Sequence, residues 1–287
     1  MTTTTLDTPE AALVYDVRGP LPTADGRPPL FLVGAPMDAS GFGTLAGHFP
    51  DRTVVTYDPR GLGRSTRTDG RTTHTPEQHA EDIHRVIEAV GGPVDLFGSS
   101  GGAISGLALV AAHPGDVRRL VAHEPPLLPV LPDAERAVAA TRAVQAVYRA
   151  KGWGHGMAAF IALTSWQGEF TDDFAATATP DPAAFGFPTE DDGSRDDPLL
   201  SDASDAITAF RLDVAALTAA PTRIVVAAGI ESKDTLTWRT AVSTAEALGQ
   251  EIVVFPSHHG GFLGGEFGQH GQPEAFAARL REVLGAG

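Results

Sequence analysis

The chain has no cysteine. That absence excludes disulfide bridges, thiolate metal ligands and a cysteine nucleophile, while leaving the redox compartment open. Basic residues are scarce too: 21 lysines and arginines face 36 aspartates and glutamates, a formal charge of −15 at pH 7. Nucleic acids and anionic membranes both need a basic face, so neither is expected as a partner. No apolar run approaches the roughly 20 residues that cross a bilayer, and no segment repeats. The opening Met1-Thr2-Thr3-Thr4-Thr5-Leu6 has neither a basic nor an apolar stretch. No secretion signal is therefore expected, and a cytoplasmic location is the default. The ten histidines show no H-x-H or H-E-x-x-H spacing, so neither a metal site nor another cofactor is expected.

What is present can build one sizeable core with one insertion: 287 residues, 42% of them hydrophobic. Apolar runs at Leu13–Val17, Leu30–Gly34, Thr53–Tyr57, Val94–Phe97, Arg119–Ala122, Arg223–Ala227 and Glu251–Phe255 read as strands. Helical patterns lie between them at Pro76–Val90, Ala103–His113, Trp238–Leu248 and Pro273–Leu284. Such alternation predicts a mostly parallel sheet covered on both faces. From Pro125 to Pro221 the alternation stops, and helices are predicted at Asp133–Lys151, His155–Ser165 and Ser204–Ala219. The last carries Ile207, Phe210, Val214 and Leu217 on one stripe. Between Thr171 and Asp205, nine aspartates and one glutamate stand against Arg195 alone. A solvated loop is the leading reading of that stretch, and a mobile acidic flap favouring amine-bearing substrates is the sharper one.

The stretch richest in chemistry is Gly98-Ser99-Ser100-Gly101-Gly102, which follows the strand at Val94–Phe97 and opens a small-residue helix. Strand, G-x-S-x-G and helix together make the context of a nucleophile elbow. A turn this tight needs glycine two residues before and after the serine. Shifting the register to Ser99 would put Phe97 where a glycine is needed, so Ser100 is the candidate nucleophile. A Gly/Ser-rich turn without chemistry, or one that only binds an anion, is the competing reading.

Three further segments stand in order around it: Val33-Gly34-Ala35-Pro36, Asp58-Pro59-Arg60-Gly61-Leu62-Gly63-Arg64-Ser65, and a late histidine after Glu251–Phe255. With these the chain resembles the α/β-hydrolase family over residues 29–125 and 222–283, with V-G-A-P in place of the usual H-G-x-P. The resemblance implies an α/β-hydrolase core at 1–125 and 222–287. It also implies a helical cap (lid) at 126–221, inserted after the sixth sheet strand. Ser100 would be the nucleophile and His259 the base, with His258 as rival. The oxyanion hole would use the N–H groups of Ala35 and Gly101. Asp58 and Arg60 would pair beneath the site.

The acid departs from the commonest pattern. The usual G-x-x-D after the seventh strand is here Gly229-Ile230-Glu231-Ser232. Either Glu231 or Asp234 serves from a shifted loop, or the acid has moved to the end of the sixth strand, as in some haloalkane dehalogenases. Glu124 leads, because it ends Arg119-Leu120-Val121-Ala122-His123 and is stiffened by Pro125 and Pro126.

The activity this implies is acyl transfer to water, on a small-molecule ester or lactone. Met157, Phe160, Ile161 and Trp166 either line an acyl pocket or pack the cap. A cofactor-free haloperoxidase-like perhydrolase, a proline iminopeptidase-like aminopeptidase and a non-catalytic ligand receptor are the alternatives. Dehalogenases and epoxide hydrolases need an aspartate where Ser100 stands.

Overall fold

The fold is described from a computed structural model over residues 1–285, so the last two residues of the expected core range 222–287 lie outside the described residues. Nine strands form one sheet: β1 (Thr2–Asp7), β2 (Ala11–Arg18), β3 (Leu30–Ala35), β4 (Val54–Tyr57), β5 (Thr66–Arg67), β6 (Val94–Ser100), β7 (Val117–His123), β8 (Arg223–Gly229) and β9 (Val253–Phe255). Their spatial order is β1-β2-β4-β3-β6-β7-β8-β9, with β5 paired to β2. From β4 to β9 every neighbouring pair runs parallel. The β1, β2 and β5 pairings are antiparallel.

Strand β3 shows why this sheet is buried on both sides. Phe31 and Val33 point into one apolar core while Leu30 and Leu32 point into another, and all four are covered. That is the two-residue period of a strand with helices over both faces. Over the first face lie α2 (Pro76–Val90) and α3 (Gly101–Ala112). Over the second lie the short α1 (Gly43–Gly47) and the C-terminal α10 (Pro273–Gly285). Helix α2 begins at Thr75, whose Oγ1 accepts the Gln78 N–H at 3.2 Å, with Pro76 as its first residue. It stops at Gly91 in the left-handed conformation.

Between β7 and β8 the chain builds α4 (Ala134–Lys151), α5 (Trp153–Ser165), α6 (Asp172–Ala176), α7 (Asp205–Thr208) and α8 (Val214–Ala219), and α9 (Leu236–Ala247) follows β8. Setting aside the two-residue β5, β7 is the sixth strand, and this run of helices follows it. α4 and α5 share an apolar cluster of their own with Tyr148, Leu163, Phe170 and Leu200 at its centre. Asp133 and Arg239 form an ion pair, and Arg239 Nη1 also donates to the Gly168 carbonyl at 2.8 Å, so α9 holds both ends of the α4–α5 unit.

Two sequence expectations are corrected. β1 was not among the expected strands, because its run of threonines carries no apolar alternation; pairing with β2 makes it a strand. The single helix expected at Ser204–Ala219 breaks into α7 and α8, with residues 209–213 between them, and the Asp213 side chain caps the second piece. Ile207 and Leu217 still bury together, against the core under α3 rather than within the α4–α5 cluster. The acidic stretch 171–205 is mostly exposed, and Asp181, Asp191, Asp192 and Asp197 accept N–H groups of their own loop. Among the described residues no helix is long and apolar enough to cross a membrane.

Candidate active site

Every residue singled out as catalytic stands at or just beyond the C-terminal end of a parallel strand. Ser100 ends β6 with φ 57° and ψ −127°, a strained conformation for a non-glycine residue. The closeness of β6 to α3 dictates Gly98, and that of α3 to β3 dictates Gly102. A Cβ on Gly98 would lie 2.6 Å from the Gly102 carbonyl oxygen, and one on Gly102 would lie 2.3 Å from that of Val33. Ala35 is the pairing partner of Ser100 across β3 and β6. The position of a Gly101 Cβ is 2.7 Å from the Ala35 carbonyl oxygen, so the two expected oxyanion residues are neighbours beside the serine.

Glu124 follows β7 immediately, also with a left-handed backbone (φ 48°), and its N–H bonds to the Ala227 carbonyl at 2.9 Å. The side chain is fully buried. Oε1 accepts the Gly229 N–H at 2.8 Å, and Oε2 accepts the Thr237 hydroxyl at 2.6 Å. Oε2 also meets His259 Nδ1 at 2.6 Å. Burial pushes this carboxyl up, but the His259 hydrogen bond and charge, with His123 and Thr237, outweigh burial and hold it below the usual range. Glu124 is therefore an ionised acceptor.

His259 lies in the loop after β9 with its side chain 42% exposed. The rival His258 is tied to its own loop: Nδ1 accepts the Gly260 N–H at 3.1 Å and Nε2 faces the His270 carbonyl at 3.2 Å. The alternative acids are elsewhere. Glu231 is exposed and accepts from Gln272 Nε2 at 2.8 Å and Ser257 Oγ at 3.4 Å, and Asp234 is exposed. Ser232, at the family's usual acid position, is buried. The structure thus brings Glu124 and His259 together and leaves Glu231, Asp234 and His258 out.

The floor differs from expectation. Asp58 does not pair with Arg60. Its Oδ1 accepts the Ala39 N–H at 3.0 Å, and its Oδ2 accepts the Arg64 N–H at 2.8 Å and Arg64 Nε at 2.7 Å. Arg60 instead makes a buried two-pronged contact with Asp82, at 2.7 and 2.6 Å. Both arginines sit in one glycine-rich loop, and spacing alone does not say which of them turns toward Asp58.

Met157, Phe160 and Trp166 are half-buried against the α4–α5 cluster, and Ile161 is half-buried on the same helix. Trp166 Nε1 donates to the Glu169 carbonyl at 3.1 Å, and its ring meets Phe174 edge-on. Two partners of the site escaped the sequence reading. Thr237 is an ordinary threonine in the first turn of α9, with no pattern to mark it. His123 is fully buried, neither ring nitrogen has a partner, and its ring packs among Phe97, Phe255, Phe276 and His259.

Among the described residues, His84, His113 and Asp116 are the group able to offer an ion three ligand atoms within 4.8 Å of one another. Spacing missed it because α2 and the end of α3 supply the members. The two rings stack face to face, 3.8 Å apart and 7° from parallel. An ion in the plane of one ring is therefore out of the plane of the other. His84 pairs with Asp116 and His113 with Glu81, each at 2.7 Å. The group lies at the opposite end of α3 from Ser100, about 18 Å along the helix.

Residues 30–279 match the Alpha/beta hydrolase family. The chain is 32% identical over 266 residues to the uncharacterized hydrolase YraK of Bacillus subtilis (strain 168), covering 90% of this chain and 89% of that one. Among solved structures it resembles a thermophilic esterase from Thermogutta terrifontis (TM-score 0.63, 21% identity, 99% and 98% of the two chains covered). It also resembles the enol-lactonase from Burkholderia xenovorans LB400 (TM-score 0.60, 20% identity, 96% and 97% covered). With its parallel sheet, its elbow after β6 and this match over most of its length, the chain belongs to the α/β-hydrolase family.

Proposed function

We propose that this hydrolase is a serine enzyme that cleaves a small-molecule carboxylic ester or lactone through an acyl-enzyme intermediate. The observation that carries the reading is the 2.6 Å contact between His259 Nδ1 and the buried Glu124. A serine hydroxyl needs a base to become a nucleophile, and an imidazole needs a carboxylate to fix its tautomer. With Nδ1 given to Glu124, Nε2 is the nitrogen left to take the Ser100 proton. Ser100 attacks the carbonyl carbon, and the N–H groups of Ala35 and Gly101 receive the oxyanion. His259 then passes its proton to the leaving oxygen. Water, deprotonated by the same ring, attacks the acyl-enzyme and frees Ser100 with the acid product.

The hydrolase name of the 32% identical relative supports hydrolysis and leaves the substrate open. In this reading the α4–α5 unit is the cap, and Met157 and Phe160 are the apolar side chains it offers to the acyl group.

The test is intact mass and peptide mapping after treatment with a fluorophosphonate. The expected result is one adduct on Ser100, lost in Ser100→Ala and in His259→Ala. No adduct on folded protein would reject the serine mechanism in favour of a non-catalytic ligand receptor.

A further inference from the structure

Two histidines outside the proposed triad are buried with no carboxylate bonded to either ring. His79, in the first turn of α2, is 1% exposed, and His74, just ahead of that helix, is 5% exposed. Unlike His123, which is equally covered and bonds to nothing, these two are joined in line. His74 Nδ1 lies 3.2 Å from His79 Nε2, and His79 Nδ1 lies 3.4 Å from Ser105 Oγ, the longest link. The Ser105 hydroxyl donates at 3.0 Å to the carbonyl of Gly101.

The direction of this chain follows from proton counting. A hydroxyl has one proton, and Ser105 spends it on Gly101. Ser105 Oγ can then only accept, so His79 carries its proton on Nδ1. A neutral His79 has no proton left for Nε2, which accepts from His74 Nδ1–H. Burial, with Arg60 and Arg67 close by, lowers His79 to about 3 and His74 to about 4, so both rings are neutral as this order requires. The outer end is anchored as well, since the His74 N–H bonds to the Ala203 carbonyl at 2.7 Å.

We infer that His79 is a positioning residue for the oxyanion donor at Gly101, acting through Ser105; the inference rests on the role proposed above for Ser100 and Gly101. Gly101 is the first residue of α3. The chain holds its carbonyl from the α2 side, while on the β3 side the Ala35 carbonyl oxygen lies 2.7 Å from where a Gly101 Cβ would stand, so the Cα that bears the N–H is confined from both. A donor N–H stabilises charge only where it is held before the reaction starts. Ser105 alone would still bond to Gly101, but its oxygen would be free to turn. His79 holds that oxygen from behind.

The probes are p-nitrophenyl acetate for turnover and phenylboronic acid for the tetrahedral adduct on the serine. In His79→Phe, which keeps a ring of similar size, kcat/KM is expected to fall about tenfold, and boronate affinity by the same factor. Ser105→Ala should match it. The double variant should be no worse than either single one, because both break one chain. His79→Gln, whose amide can donate to Ser105 and accept from His74, should recover most of the loss. A role confined to packing α2 on α3 lowers the melting temperature alone. Unchanged kcat/KM and boronate affinity in either single variant would overturn the inference, and so would additive losses in the double. If His79→Phe does not fold, Ser105→Ala decides, since alanine suits a helix interior. Fluorophosphonate labelling of the wild type separates the two levels. A labelled wild type with unaffected variants sinks this inference alone, whereas an unlabelled one sinks the serine reading and this inference with it.

Discussion

Thr237 Oγ1 donates to Glu124 Oε2 at 2.6 Å, the same oxygen that receives His259 Nδ1. One carboxylate oxygen thus carries the imidazole and a hydroxyl from the first turn of α9, while the Gly229 N–H fixes the other. Thr237→Val keeps the shape and deletes the donor. A hydrogen bond to a charged group is worth about 1.5–3 kcal/mol. Much of that serves here to aim Glu124, so kcat/KM for p-nitrophenyl acetate should fall roughly tenfold or more. Restored activity in Thr237→Ser would tie the loss to the hydroxyl. A Val variant with wild-type turnover would show that Gly229 alone suffices.

Glu124→Gln is expected to be far more damaging, for a reason visible in the hydrogen-bond directions. Gly229 N–H needs an acceptor, so the glutamine oxygen must face it. The glutamine NH2 then faces His259 Nδ1 and forces that nitrogen to accept. The ring proton moves to Nε2, which can no longer take a proton from Ser100. The equivalent substitution in other serine triads costs about 10⁴-fold in kcat, and a loss of about 10³-fold or more is expected here. Glu231→Gln and Asp234→Asn, at exposed carboxylates not bonded to His259, should change kcat/KM by less than about threefold. The reverse ranking would move the acid to the loop after β8.

Local rules with a steric cause carried the sequence reading furthest. Only glycine fits at 98 and 102, so the elbow was legible, and the helical pattern read at Pro76–Val90 coincides with α2, which Thr75 caps and Gly91 ends. What failed depended on distant partners. The threonines of β1 become a strand only because β2 offers an edge. Asp58 selects Arg64 over Arg60 because Asp82, on α2, holds Arg60. Thr237 and Glu124 stand 113 positions apart and meet only once β7, β8 and α9 have docked. Glu124 could be put forward because its position at a strand end is local, whereas its contacts with Thr237 and the Gly229 N–H were not legible.

Three imidazoles are buried in neutral form, and this sets the acid limit of the fold. Burial lowers His79 to about 3 and His74 and His123 to about 4, against an ordinary 6.5; positive neighbours add to it, while Glu124 beside His123 and Asp69 near His74 pull the other way without overcoming it. In the unfolded chain each binds a proton as the pH falls through 6.5, while in the folded chain each resists until pH 3–4. The unfolded state therefore binds more protons in this window, and stability falls as the pH falls. Each ring contributes up to about 1.4 kcal/mol per pH unit. Glu124 acts in the same sense at lower pH, since its lowered carboxyl stabilises the fold above its unfolded value and that stability is lost on protonation. The urea midpoint should be nearly constant above pH 7 and drop steeply from about 6 to 4. His123→Phe should flatten the drop by removing one ring. A midpoint independent of pH from 7 to 4 would contradict the buried neutral state.

The last expectation concerns the loop that follows Ala35. Asp58 is 2% exposed, and both of its oxygens are spent on main chain: Ala39 N–H on one side, Arg64 N–H on the other. It therefore staples the segment after Ala35 to the glycine-rich loop. Asp58→Asn can satisfy only one side, because its NH2 confronts an N–H on the other. The 36–39 segment should shift, carrying Ala35 out of line with Ser100. A displacement near 1 Å at a reacting centre can cost about 10²-fold. Between tenfold and a hundredfold is thus expected in kcat/KM for p-nitrophenyl acetate, with boronate affinity falling in step. Arg64→Ala removes donors from a side chain that is 44% exposed and leaves both main-chain bonds in place. It should cost less than about threefold. Equal losses in the two variants would mean that the Asp58–Arg64 ion pair, and not the main-chain staple, holds Ala35 beside the serine.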